Sequence, residues 1–193
     1  MTLKNHKLIL ASQSPRRREL LSQITSHFKV QPSSVEEIIL PDRTSAANAL
    51  AIAQAKALWA ARKNPSCFVI GADTLVSLEN IIIGKPTDPD DAYRILKSLS
   101  GKVHEVITGV VVIDPKGTCH EEACKSLVAF RRLLDEEIDR YVKTSEPLDK
   151  AGGYAIQGQG NSLIAFYQGS YSNIVGLPLE ALRKLLLYSG FPI

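Results

Sequence analysis

The sequence predicts an α/β protein built around a mixed β-sheet, and three observations carry that reading. Short β-branched runs alternate with alanine- and leucine-rich stretches of helical length. Some neighbouring strand-like runs are joined by tight turns, as in hairpins, and others are separated by a helix, as in crossovers. With 193 residues, 45% of them apolar and 22% charged, the chain has the make-up of a soluble globular protein and can bury a full core. A single domain over residues 1–193 is expected.

Lys7 to Ala11 reads as a buried strand. Ser14 is a good N-cap and Pro15 suits the first helical position, so a helix is expected from Pro15 to about Gln23. Phe28 to Gln31 reads as a second strand, and Ser45 to Arg62 as a long helix closed by Asn64-Pro65. Cys67 to Leu78 is apolar and β-branched; Glu79-Asn80 then turns it into Ile81 to Ile83, a hairpin. Asp88-Pro89 opens a helix with acids in its first turn and Gly101 beyond its end. Val103 to Ile113 and Thr118 to Phe130 read as long strands joined by a turn at Pro115-Lys116-Gly117. A short helix over Asp135 to Lys143, a glycine-rich loop over Ala151 to Gly160, a strand over Ser162 to Tyr167 and an amphipathic helix over Pro178 to Tyr188 complete the chain.

Composition excludes several classes. A net charge of +3 gives no global basic field for nucleic acid. Cys67, Cys119 and Cys124 are odd in number and lack CxxC spacing, which argues against disulfides and zinc and suits a reducing cytosol. The first residues have no signal-peptide core, and no run approaches the ~18 apolar residues of a membrane span. A cytoplasmic location is expected. The histidines His6, His27, His104 and His120 are scattered, and His104, inside a strand, reads as structural.

Four constellations carry chemistry. In Ser12 to Arg18 a strand ends in a Ser-x-Ser-Pro turn and a helix begins with three arginines. Arginines oppose the positive end of the helix dipole, and an anion resolves that conflict. Free amides, two hydroxyls and forked guanidiniums suit phosphate oxygens, although a solvated basic helix face is the simpler alternative, which Arg18 fits. Asp73 follows Gly71-Ala72 inside an apolar strand, where aspartate is disfavoured without a partner. It suits a hard metal ion or a water proton, or else a hydrogen-bonded turn. Thr74 points the opposite way if the strand is regular. Lys85, between Gly84 and Pro86, and Lys56, in the alanine-rich helix, are candidate point charges for phosphate; each alone reads most simply as solvated. Glu36-Glu37 reads as loop surface with a possible second metal oxygen. The glycine loop carries Tyr154 and Gln157, whose amide suits a base edge, or is simply a connection that needs glycine. P-loop, Rossmann, GxSxG and HExxH patterns do not occur.

Six motifs, in order along the chain, resemble the Maf family: Ser12-Gln13-Ser14-Pro15-Arg16-Arg17, Gly71-Ala72-Asp73-Thr74, Gly84-Lys85-Pro86, Leu99-Ser100-Gly101, Glu146 to Gly152 (EPLDKAG) and Ser172 to Pro178 (SNIVGLP). The resemblance implies a nucleoside triphosphate pyrophosphatase that cuts between the α and β phosphates with a divalent cation, Mg²⁺ or Mn²⁺. It implies an elongated mixed sheet flanked by helices with a central cleft, similar to inosine triphosphate pyrophosphatase. It assigns Asp73 as proton acceptor; Arg16, Thr74 and Gln157 to substrate choice; Arg17, Lys56 and Lys85 to the phosphates; and Glu37 to the metal. The chemistry of the residues adds the Ser12 and Ser14 hydroxyls to the phosphate set and Asp73 to the metal. A family branch acting on 7-methyl-GTP tends to carry an aromatic residue where Arg16 stands and to lack Asp149-Lys150. This sequence keeps both features and looks like the branch acting on dTTP and UTP. The partner implied is the nucleotide, without nucleic acid or membrane, and with a second copy of the chain as the candidate protein partner. Alternatives are a 7-methyl-GTP pyrophosphatase, or a nucleotide-binding regulator linked to septum formation with little catalysis.

Overall fold

A computed structural model describes residues 7–193, so His6 lies outside the described residues. The strands are β1 (Leu8–Leu10), β2 (Lys29–Val30), β3 (Phe68–Leu78), β4 (Ile81–Ile83), β5 (Val103–Ile113), β6 (Cys119–Phe130) and β7 (Ile164–Gln168). The helices are α1 (Pro15–Ser22), α2 (Ser45–Lys63), α3 (Pro89–Leu99), α4 (Asp135–Val142), α5 (Tyr171–Val175) and α6 (Leu179–Tyr188). The sheet order is β2-β1-β3-β5-β6-β7, with β4 paired to β3. β1 runs parallel to both β2 and β3, whereas β3–β4 and β6–β7 are antiparallel. The mixed α/β sheet expected from the sequence is therefore the architecture found.

Local chemistry sets the element boundaries. Ser14 caps α1 by accepting a hydrogen bond from the Arg17 amide, with Pro15 in the first turn. Thr44 caps α2 and Asp88 caps α3 in the same way, through the amides of Ala47 and Asp91. Glu79 and Asn80 both have positive φ, 52° and 66°, as a two-residue type I′ hairpin turn requires. The stretch after α4 differs from a plain loop: short 3₁₀ turns occupy Glu146–Asp149, Ala151–Gly153 and Gln159–Leu163. Gly152 and Gly153, with φ of 73° and 68°, are glycine for that reason.

The chain divides into two compact units. The first comprises residues up to Asp73, Thr108–Cys124 and Gly176–Ile193. Its core sets Ala53, Ala57 and Ala60 of α2 against Ile9, Val69 and Val111 of the sheet. The second comprises Thr74–Ile107 and Lys125–Val175. There Leu96, Leu99 and Ile138 from α3 and α4 pack on Val106, Val128 and Phe130. Within it, His104, Phe130 and Tyr154 form a cluster of edge-to-face rings, each pair with centroids 4.8–5.3 Å apart. His104 is thus a core residue, as its place in a strand suggested. Among the described residues no helix is long and apolar enough to cross a membrane.

Candidate active site

The first unit holds seven of the ten candidate residues. Asp73 is placed by β3 and Lys56 by α2, and two glycines explain how closely helix and sheet meet. A Cβ on Gly71 would run into the Ala53 carbonyl oxygen and lie 2.8 Å from the Ala57 Cβ; one on Gly109 would lie 2.6 Å from the Ala49 oxygen. The helix backbone therefore rests directly on the strands. Gly71 and Asp73 share a face of β3 by strand alternation, so Asp73 faces the same helix one pleat further on.

There Lys56 Nζ donates to Asp73 Oδ1 at 2.7 Å and pairs with Glu37 Oε1 at 2.6 Å. Lys56 and Asp73 are buried, 7% and 5% exposed. The simplest sequence reading of Lys56, a solvated charge, is overturned. The buried face of α2 around it is mostly alanine, with Ile52 and Asn48, and a buried ammonium persists there because two carboxylates neutralise it. Glu37 is the exposed member of the triad. It sits on the loop before Ile38–Leu40, which Asn48 ties to α2: Asn48 Oδ1 accepts from the Leu40 amide at 2.9 Å, and its Nδ2 donates to the carbonyls of Leu40 and Arg43. Asn48 was not singled out from the sequence; only its buried place in the first turn of α2 reveals it.

The Ser-x-Ser-Pro turn has its own scaffold. Ser12 Oγ accepts from the Ser14 amide at 3.2 Å and from an Arg17 guanidinium nitrogen at 3.3 Å. Arg17 Nε also donates to the Gly176 carbonyl at 2.8 Å, which anchors the guanidinium to the SNIVGLP segment. Arg16 is half-buried beside it and repels it, whereas Arg18 is exposed, as expected. Burial raises the Asp73 pKa against the opposing pull of Lys56 and then of Arg17. Burial lowers that of Arg17, opposed by Asp73 and Glu37. These mutual effects place Arg17, Glu37 and Asp73 in one electrostatic cluster.

The other three candidates belong to the second unit. Thr74 is half-buried on the pleat opposite Asp73. Lys85 is exposed just after β4, where the neighbouring Gly84 carbonyl accepts from the Gly152 amide at 3.0 Å. Gln157 is exposed on the glycine loop. Among the described residues no group of three or more His, Cys, Asp or Glu side chains is arranged to hold a metal ion; the acidic oxygens that converge are those of Asp73 and Glu37.

The Maf family, described as Maf-like protein, matches residues 7–188. This chain belongs to the Maf family. Among its relatives, the dTTP/UTP pyrophosphatase of Moorella thermoacetica is 45% identical over 97% of both chains. The dTTP/UTP pyrophosphatase of Pyrococcus furiosus is 46% identical over 93% of this chain and 94% of its own. Among solved structures, a HAM1 protein from Coxiella burnetii superposes with a TM-score of 0.54 at 16% identity, covering 95% of this chain and 99% of that one. That likeness is one of fold. Within the Maf family, the buried Lys56–Asp73 pair is the part of this chain best suited to chemistry.

Proposed function

We propose that this chain is a nucleoside triphosphate pyrophosphatase acting on dTTP and UTP, releasing the nucleoside monophosphate and pyrophosphate. The observation that carries the reading is the buried carboxylate of Asp73, held by Lys56 beside the Arg17 turn. The dTTP/UTP pyrophosphatase relatives support the substrate choice.

The substrate carries close to four negative charges, so the site must neutralise charge and align water with the α-phosphorus. Asp73 Oδ1 is engaged by Lys56, and we assign its second oxygen to accept the proton of the attacking water. The water oxygen bonds to the α-phosphorus as the bridge to the β-phosphate breaks, and the bridging oxygen leaves with pyrophosphate. Lys56, and then Arg17, oppose the upward push that burial gives the Asp73 pKa. An ammonium has three donors; Asp73 and Glu37 engage two, and the third is assigned to a phosphate oxygen. Arg17, Ser12, Ser14 and Lys85 bind the phosphates. Arg16, Thr74 and Gln157 select the base.

The donor set fits a divalent cation. Hard carboxylate oxygens from Asp73 and Glu37 already share one cation, Lys56, and Mg²⁺ is typically held by one or two carboxylates together with phosphates. Bound by these two residues, Mg²⁺ or Mn²⁺ would supply charge neutralisation and Lewis-acid polarisation.

Incubation with dTTP or UTP and Mg²⁺, followed by an assay for pyrophosphate, tests the reading. Equal amounts of monophosphate and pyrophosphate are expected. Release of inorganic phosphate, or nucleotide binding without product, would overturn it.

A further inference from the structure

The glycine loop of the second unit is held by a hub that the phosphate chemistry does not use. Glu146 Oε1 accepts from the Tyr141 hydroxyl at 2.8 Å and from the Gly160 amide at 3.1 Å, and its Oε2 accepts from the Gln159 amide at 3.1 Å. The Tyr141 hydroxyl in turn accepts from the Ala155 amide at 3.2 Å. Glu146 is itself fixed: its carbonyl accepts from Lys150 Nζ at 2.8 Å, and its amide donates to Thr144 Oγ1.

The hub explains two glycines that no turn requires. Gly158 has an extended backbone, φ −110° and ψ −151°. A Cβ there would lie 2.6 Å from Glu146 Oε1 and closer still to Oε2. A Cβ on Gly160 would lie 2.7 Å from the Tyr141 hydroxyl. The loop backbone has therefore been thinned to glycine where it closes over a phenol–carboxylate pair. Ala155 on one side and Gln159 with Gly160 on the other are the anchored positions. Between them Gln157 is exposed and stands at the free apex.

We propose that Glu146, with Tyr141, is a positioning residue for base selection: the pair fixes the backbone on both sides of Gln157 and so sets the register in which its amide meets the nucleobase. This rests on the reading of Gln157 as a selectivity residue. A carboxylate suits the task because it accepts several amide and hydroxyl hydrogen bonds at once with no donor of its own. Those bonds, and the burial opposing them, leave the Glu146 carboxyl below its ordinary pKa, so it stays ionised at neutral pH. Base selection needs such rigidity, since a polar contact discriminates only when its donor and acceptor cannot slide to suit another base.

The test compares the wild-type protein with Glu146→Ala, Tyr141→Phe, Gln157→Ala and the Glu146→Ala/Gln157→Ala double variant. Steady-state turnover of UTP and CTP is measured for each, alongside calorimetric binding of their α,β-methylene analogues, which needs no catalysis. Gln157→Ala and Glu146→Ala are each expected to reduce the UTP-over-CTP ratio of kcat/KM by about 10-fold, mainly through KM, as for small losses of alignment. The double variant should be no less selective than Gln157→Ala alone. Tyr141→Phe, nearly isosteric, should move the ratio in the same direction and serves if Glu146→Ala does not fold. An unchanged ratio in Glu146→Ala and Tyr141→Phe, with a reduced one in Gln157→Ala, overturns the proposal and leaves the role of Gln157 standing. An equal fall in kcat for both nucleotides at constant selectivity marks a merely structural role and also overturns it. An unchanged ratio in Gln157→Ala overturns the role of Gln157 and this inference together. Selective analogue binding without wild-type turnover would overturn the hydrolase reading alone.

Discussion

Lys56 Nζ lies 2.7 Å from Asp73 Oδ1, and both side chains are more than nine-tenths buried, so the pair is assembled before any substrate arrives. Removing either member separates the chemistry of the site from its stability. Asp73→Asn keeps the shape and should lower kcat for UTP by at least ~10²-fold, the usual cost of losing a general base, while the protein stays folded. Lys56→Met should act on both, because it leaves a carboxylate buried without its cation. The expected destabilisation is about 3 kcal/mol in urea unfolding, the lower end for a broken buried pair. Adding Asp73→Asn to Lys56→Met should recover part of that loss. Near-full turnover by Asp73→Asn would remove Asp73 from the mechanism.

Glu37 and Glu36 are adjacent in sequence, yet only Glu37 reaches Lys56. Chelation should abolish pyrophosphate release and added Mg²⁺ should restore it. Glu37→Gln should raise the Mg²⁺ concentration for half-maximal rate by about 10-fold, in the range seen when metal-site groups are altered. Glu36→Gln should leave that titration unchanged. The reverse pattern would move the acidic role to Glu36.

The contact of α2 with β3 depends on Gly71 having no side chain. Gly71→Ala places a methyl group against the backbone of Ala53 and Ala57, with an expected loss of about 1–3 kcal/mol, typical of overpacking. Turnover should fall with it, because separating helix from strand parts Lys56 from Asp73. Gly84→Ala meets nothing within 4 Å and should melt within a degree or two of wild type. Equal melting temperatures for the two variants would show that the helix can retreat without cost.

His104 gives the second unit a pH dependence. Burial pushes its pKa down to about 4 from the usual 6.5; Nε2 is 2.8 Å from the Tyr154 hydroxyl, and Nδ1 has no hydrogen-bond partner among the described residues. Between these values the unfolded chain binds a proton that the folded chain refuses. Stability from the neutral ring is therefore complete above pH 6.5 and is lost as pH falls towards 4, with a slope of up to about 1.4 kcal/mol per pH unit. His104→Gln keeps a donor for Tyr154 without titrating, and should flatten urea-unfolding stability over that range relative to wild type. Parallel pH profiles would show that His104 does not carry the dependence.

Local signals marked much of this fold. The Ser14 cap, the Glu79-Asn80 turn and the bounds of β5 follow from the chemistry of a few neighbouring residues. What escaped depends on partners distant in sequence. α5 lies in an uncharged stretch without helical periodicity, and it is only five residues long. Lys56 looks solvated because the alanines around it show no strong apolar stripe; its burial makes sense only once Asp73, 17 residues on, is placed opposite. Gly158 and Gly160 read as turn formers, and their steric reason is a carboxylate and a phenol more than ten residues upstream. Asp73 was legible for the opposite reason: a carboxylate within an apolar strand is costly enough to need explaining.

Ser12 extends the logic of the arginine turn. Its oxygen already receives the Ser14 amide and the Arg17 guanidinium, which fills both of its lone pairs. The hydroxyl is left with nothing to offer but its hydrogen. Ser12 is thus polarised in one direction: it can donate to a group rich in electron pairs and has no lone pair left for one that brings a proton. A phosphate stripped of protons suits that hydroxyl best, and each proton the phosphate acquires weakens its oxygens as acceptors of the one hydrogen Ser12 has to give.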